Sequence, residues 1–142
     1  MATRSLMTEL APETMRVPFA AASVRVVRAR LRSSLFRIDG SSECIDDARV
    51  IVSELVANSI RHARPLPDGT LAVSWCVDDS GLQISVTDGG SPTRPRILDA
   101  PSSALAGRGM AIVEKLSASW WAEHTRSRST VHAVLSQCGS RA

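Results

Sequence analysis

An α+β two-layer sandwich, with helices packed on one face of a mixed, mostly antiparallel sheet, is the fold class this sequence predicts. Three observations carry that expectation. Two amphipathic helical stretches come first, between Ala20 and His62. LAVSWCV with LQISVTD, and later SWWAEHTRSRSTVHAVL, read as two hairpins. A short helical stretch, MAIVEKLS, lies between them. At 142 residues, 44% hydrophobic, with a mean hydropathy of +0.01, the chain suits one domain with a real core.

The elements follow in order. Residues 1–14 read as a flexible tail, 15–137 as the domain and 138–142 as a second tail. Thr14 to Phe19 reads as a short strand, and Pro18 assigns it to a sheet edge, where a missing N–H costs least. Ala20 to Leu35 sets Val24, Val27, Leu31 and Leu35 on one stripe with arginines opposite, an amphipathic helix. The DGSS at 39–42 breaks it. Ser41 or Ser42 then caps a second helix, and Glu43, Asp46 and Asp47 suit its positive end. That helix runs to about His62, with Ile45, Ala48, Val52, Leu55 and Ser59 toward the core, and PLPDG stops it. In the first hairpin Leu82, Ile84 and Val86 alternate with polar residues, so one face is buried. Ser91 to Ala106 is a Pro-, Ser- and Ala-rich loop, and Gly107-Arg108-Gly109 opens the third helix.

Composition excludes several classes. No apolar run approaches the roughly 20 residues of a membrane span. The opening MATRSLMTELAPETMR lacks the apolar stretch of a secretory leader, which points to the cytoplasm. Cys44, Cys76 and Cys138 form no CxxC pair and are expected as reduced core residues, neither zinc ligands nor a disulfide framework. Net charge is +3, carried by sixteen arginines and one lysine, Lys115. Six arginines and no acid fall between Arg16 and Arg37, either a face for an acidic partner or a solvated helix face. No recognised nucleic-acid motif accompanies them, so no nucleic-acid partner is expected.

The candidate chemistry lies in three places. Within SELVANSIRHA, Glu54 and Asn58 are four residues apart, about 40° apart around the helix and one turn along it. An Asn carboxamide oxygen is a hard ligand suited to Mg²⁺, and a carboxylate beside it can polarise a hydroxyl. Taken alone, the pair also fits two solvated residues on a helix face. Asp88-Gly89-Gly90 ends a strand, where the carboxylate can accept from an amino group such as adenine N6. Gly90 removes bulk where a flat ring would lie, although a plain turn also favours Asp and Gly. Gly107-Arg108-Gly109 precedes a helix, whose free N–H groups can bind phosphate.

Together, in this order and spacing, ELVANSIRHA, VTDGG and GRGMAIVEKLS resemble the N box and the two glycine boxes of the GHKL ATP-binding superfamily, with its Bergerat fold. The chain looks most like the small bacterial anti-sigma-factor serine/threonine kinases, over about Arg16 to Leu135. The resemblance implies ATP and Mg²⁺ as cofactors, a homodimer, and no membrane. It implies an anti-anti-sigma partner of the STAS type, a sigma factor, or both. It makes Glu54 the carboxylate that activates the attacking hydroxyl and Asn58 the Mg²⁺ ligand. His62 falls near the phosphates, where a helix-end His satisfied by a carbonyl is an equal alternative. Asp88 becomes the adenine N6 acceptor with Gly90 beside the ring, Gly107 and Gly109 the phosphate loop, and Thr130 a hydroxyl near adenine. Arg108 is expected at a terminal phosphate on its position alone. Pro92 stands where a further glycine is common, and Arg128-Ser129-Thr130 where many relatives have Gly-Lys-Thr. The functional expectation is a protein serine/threonine kinase. The alternative is an ATP-dependent regulatory binding module that transfers little phosphate. A histidine-kinase catalytic half is disfavoured, because about fifty residues precede the N box and leave no room for a phosphoacceptor hairpin.

Overall fold

A computed structural model of the chain describes residues 10–91 and 104–136, with side chains of the second stretch from Met110 onward. The order is β1 (Leu10–Pro18), α1 (Ser23–Arg37), α2 (Ser42–His62), β2 (Thr70–Asp78), β3 (Gly81–Asp88), α3 (Ala104–Leu116), β4 (Ser119–Thr125) and β5 (Arg128–Leu135). The five strands form one sheet in the order β1-β2-β3-β5-β4. Each described pairing is antiparallel, and the three helices share one face: α1 meets β1, α2 meets β3 and β5, and α3 meets β4. This is the α+β sandwich expected from the helix and hairpin pattern.

The period-2 pattern explains the sheet. Leu71, Val73, Trp75 and Val77 of β2 and Leu82, Ile84 and Val86 of β3 are buried under the helices. Val27, Leu31 and Leu35 of α1 meet them from above, as do Ile45, Ala48, Val52 and Leu55 of α2. Ser41 is the residue that caps α2: its side chain accepts from the Cys44 N–H at 3.1 Å.

Three expectations need correction. Strand β1 begins at Leu10, so residues 10–14 are sheet and not tail. Their backbone pairs with β2, from Leu10 opposite Val77 to Thr14 opposite Ser74, and Glu13 Oε1 accepts from Ser34 Oγ at 2.5 Å and from Trp75 Nε1 at 2.9 Å. An isolated Glu in a polar stretch gives no hint of such long-range partners. Second, α3 begins at Ala104, so Gly107-Arg108-Gly109 lie past its first turn and do not precede it. Ala104, Leu105 and Ala106 are good helix formers that carry the helix back through them. Third, Cys44 is disulfide-bonded, with its partner outside the described residues, while Cys76 is a free, half-buried thiol. Separation in sequence hid this, because Cys44 shares a cleft with Leu135 and Ser136 near the other end of the chain. The loop residues 92–103, the terminal segments 1–9 and 137–142, and the Arg108 side chain fall outside the described residues. No helix among the described residues is long and apolar enough to cross a membrane.

Candidate functional site

The site is built where the C-terminal half of α2 meets the end of β3. Ser59 lies on the buried stripe of α2, and its Oγ donates to Asp88 Oδ2 at 2.6 Å. The Gly90 N–H donates to Asp88 Oδ1 at 2.8 Å. Asp88 is only 5% exposed, and burial pushes its carboxyl above the ordinary value. The hydrogen bonds from Ser59 and Gly90 and the charge of His124 pull it part of the way back.

Two backbone hydrogen bonds stitch the strand end to the segment after α2. Gly89 N–H donates to Arg64 O at 2.8 Å, and Arg64 N–H donates to Gly90 O at 2.9 Å. A Cβ on Gly89 would stand 2.0 Å from Pro65 O, so only glycine allows this approach. Gly90 has φ +92°, which disfavours any other residue, and faces the β4–β5 turn at Ser127 and Arg128. Gly89 carries no sequence signal of the Pro65 backbone it meets, whereas Gly90 stands out as the last residue of the DGG run.

Glu54 and Asn58 are half-buried on α2, with Asn58 next to Ser59. His62 is exposed at the end of α2, and its carbonyl accepts from Ser91 Oγ at 3.1 Å. Glu54 and Asn58 thus stand on the half of α2 that Ser59 ties to Asp88 at the end of β3. Thr130 does not join them. In the β3–β5 register Thr130 lies opposite Thr87, and their hydroxyls bond at 2.9 Å on the sheet face away from the helices. Asp88 lies opposite Ser129, which shares its face. Ser129 in turn lies opposite His124, and their Oγ and Nδ1 are 2.9 Å apart. Asp88, Ser129 and His124 thus form a polar row across three strands. Period-2 alternation along β3 and β5 could have singled out Ser129, but only once their register was known. Arg126 and Arg128 are exposed at the rim.

The chemistry of this donor set is specific. A carboxylate offers about four lone-pair directions, and Asp88 uses two within the protein. The remainder suits a donor such as an exocyclic amino group. Mg²⁺ takes oxygen ligands in octahedral geometry and suits the Asn58 carboxamide. No group of three or more His, Cys, Asp or Glu side chains among the described residues could hold a metal ion by itself. A metal here would need further ligands from a phosphate or water.

A family model for the histidine kinase-like ATPase domain matches residues 17–135, and the chain belongs to that family. It is similar to proteins named serine-protein kinase RsbW. One from Listeria monocytogenes serotype 4a is 28% identical over 115 residues, which cover 72% of this chain and 73% of that protein. One from Staphylococcus epidermidis is 30% identical over 78 residues, or 54% of this chain and 49% of that protein. In fold the chain is similar to the crystal structure of the RsbU and RsbW domains of a Mycobacterium tuberculosis protein. The TM-score is 0.70 at 22% identity over 89% of this chain. The chain spans 32% of that longer chain, and at this identity the likeness bears on fold alone.

Proposed function

We propose that this chain is an ATP-binding anti-sigma regulatory factor with serine/threonine kinase activity, whose phosphoryl acceptor is an anti-anti-sigma protein of the STAS type. The observation that carries the proposal is the buried Asp88 carboxylate, held by Ser59 and Gly90 beside the helix half that bears Glu54 and Asn58. In this reading Asp88 accepts from adenine N6 and Gly90 leaves room for the ring. Asn58 holds Mg²⁺ with ATP, and Glu54 takes the proton from the acceptor hydroxyl. His62, Gly107, Arg108 and Gly109 are assigned to the phosphates. Ser129, which shares the Asp88 face where Thr130 does not, supplies the hydroxyl near adenine in this reading. Held by Asn58, Mg²⁺ would supply positive charge that offsets the charge of the phosphates. Cytoplasmic location and a homodimer belong to the same reading.

The decisive experiment offers the purified protein labelled ATP, Mg²⁺ and STAS-domain proteins. Label on a serine or threonine of the acceptor is the expected result. A second reading, a nucleotide-dependent switch with little transfer, draws on the helical placement of Gly107 to Gly109, which lies past the free N–H groups of the first turn. Tight ATP binding without label on any acceptor would favour it.

A further inference from the structure

The N-terminal half of α2 and the outer stripe of α1 enclose a second concave surface. A cleft of about 370 Å³ is lined by Arg25, Arg28, Ala29, Arg32, Ser33 and Arg49, with no acid among them. The neighbouring arginines are differently placed. Arg30 and Arg37 approach Glu13 Oε2 at 3.7 and 3.9 Å, and Arg16 meets Asp68 at 3.0 Å. None of the four cleft arginines has an acidic partner among the described residues.

Two further observations point at a ligand. The Nε atoms of Arg28 and Arg49 are buried and have no hydrogen-bond partner. Buried donors are ordinarily satisfied, and one left unpaired is costly. Arg32 is held with its guanidinium carbon 5.5 Å from the centre of the Phe36 ring, which steadies its position. Arg25, Arg28 and Arg32 follow helical spacing and share one stripe, and Arg49 closes the group from α2. Four like charges in one cleft repel each other, and an anion between them relieves that repulsion. The planar guanidinium fork matches carboxylate and phosphate oxygens in pairs.

We propose that this cleft is an anion-binding site for a compact ligand carrying two or more phosphate or carboxylate groups. Its concavity favours a small ligand that enters, over a flat macromolecular surface that does not. The site is separate from the Asp88 row: Arg49 precedes Ser59 by ten residues, about 15 Å along the helix. It does not depend on the kinase reading.

The test is calorimetric titration of the full chain, without nucleotide, using inorganic pyrophosphate and, in a separate arm, citrate. Pyrophosphate tests the phosphate source of the charge and citrate the carboxylate source. Two double variants of equal charge are compared, R28Q/R49Q in the cleft and R30Q/R37Q on the other flank of the region. At least one anion is expected to bind wild type and R30Q/R37Q alike, and R28Q/R49Q about tenfold or more weakly. Should R28Q/R49Q fold poorly in a thermal melt, R25Q/R32Q serves instead, since both side chains are exposed. Equal weakening in every variant would reduce the effect to net charge and overturn the site. So would unchanged affinity in the cleft variants, which places the anion elsewhere. Binding of a ten-residue polyglutamate peptide with neither small anion bound would make this a docking surface and overturn it as well.

Discussion

Ser59 and Asp88 join α2 to the end of β3 through one buried hydrogen bond, Oγ to Oδ2 at 2.6 Å. Asp88 has a pH signature set by its burial, which the bond from Ser59 opposes. Because the Asp88 carboxyl is raised, the folded chain holds that proton more tightly than the unfolded chain does. Its contribution is complete below the ordinary value of 3.8 and is lost as pH rises through the raised folded value. Asp88→Asn removes this titration. Melting curves of the nucleotide-free protein should show the wild type losing ground relative to the variant as pH rises from 3.8. A constant gap between the two proteins over that range would refute the assignment. The same change should weaken adenine nucleotides, because an amide can turn a donor toward N6, and should narrow the preference for ATP over GTP.

Glu13 behaves in the opposite sense. Its carboxyl is held below the ordinary value by Ser34 first, then by Trp75, Arg30 and Arg37, against the effect of burial. This stability is present above the ordinary value of 4.5 and is lost as pH falls through the lower folded value. Glu13→Ala would leave the buried Ser34 hydroxyl and Trp75 N–H without their acceptor and should cost about 1–3 kcal/mol at neutral pH. Urea titration at pH 7 and pH 4 measures both effects, and a loss that is the same at both values contradicts the account.

Much of this was legible beforehand, for reasons that differ by residue. Helix periodicity located Val27, Leu31 and Leu35 on the buried side of α1, and alternation located Leu82, Ile84 and Val86, because both are local patterns that burial follows directly. Glu54 and Asn58 could be paired from one helix turn. What depended on two distant segments was not legible. Glu13 needs Ser34 and Trp75, Gly89 needs Pro65, and the choice of Ser129 over Thr130 needs the β3–β5 register. A one-residue slip there exchanges the two faces. The start of α3 is hidden because Gly107 and Gly109 suggest a boundary, while the alanines and leucine before them favour helix.

Gly89→Ala should separate steric need from conformational need. The added Cβ meets Pro65 O and must push the strand end away from the segment after α2. A cost of about 1–3 kcal/mol is expected, with weaker nucleotide binding. Gly69→Ala is the contrast: Gly69 has φ +83° and open space, so only backbone strain of about 1–2 kcal/mol applies, with no effect on nucleotide. Nucleotide affinities of the two variants, measured beside their melting temperatures, decide this. Equal affinities would remove Gly89 from the site.

Ser129 and Thr130 should part in the same manner. Ser129→Ala removes the hydroxyl that shares a sheet face with Asp88, and nucleotide affinity should fall. Thr130→Val breaks only the bond to Thr87 on the opposite face, costing about 0.5–1.5 kcal/mol of stability while affinity holds. Loss of affinity in Thr130→Val alone would put Thr130 at the adenine and argue against the observed register.

Glu54 and Asn58 lie one turn apart on α2, both half-buried, and the two proposed roles predict opposite kinetics. Glu54→Ala should leave ATP affinity nearly unchanged, since its carboxylate acts on the attacking hydroxyl in the transition state. Phosphoryl transfer should fall by about 10²–10⁴-fold, the usual cost of losing a general base. Asn58→Ala removes a Mg²⁺ ligand, so metal-dependent nucleotide binding itself should weaken. Neither change should unfold the domain, because Ile45, Val52 and Leu55 form the buried stripe of α2 and stay in place. Titration with ATP at fixed Mg²⁺, then transfer to a STAS-domain acceptor, reads the two effects separately. If both variants bind ATP and transfer phosphate as the wild type does, the pair is a solvated helix face. If both lose several kcal/mol of stability, they are buried structural polar groups, and the proposed division of labour fails.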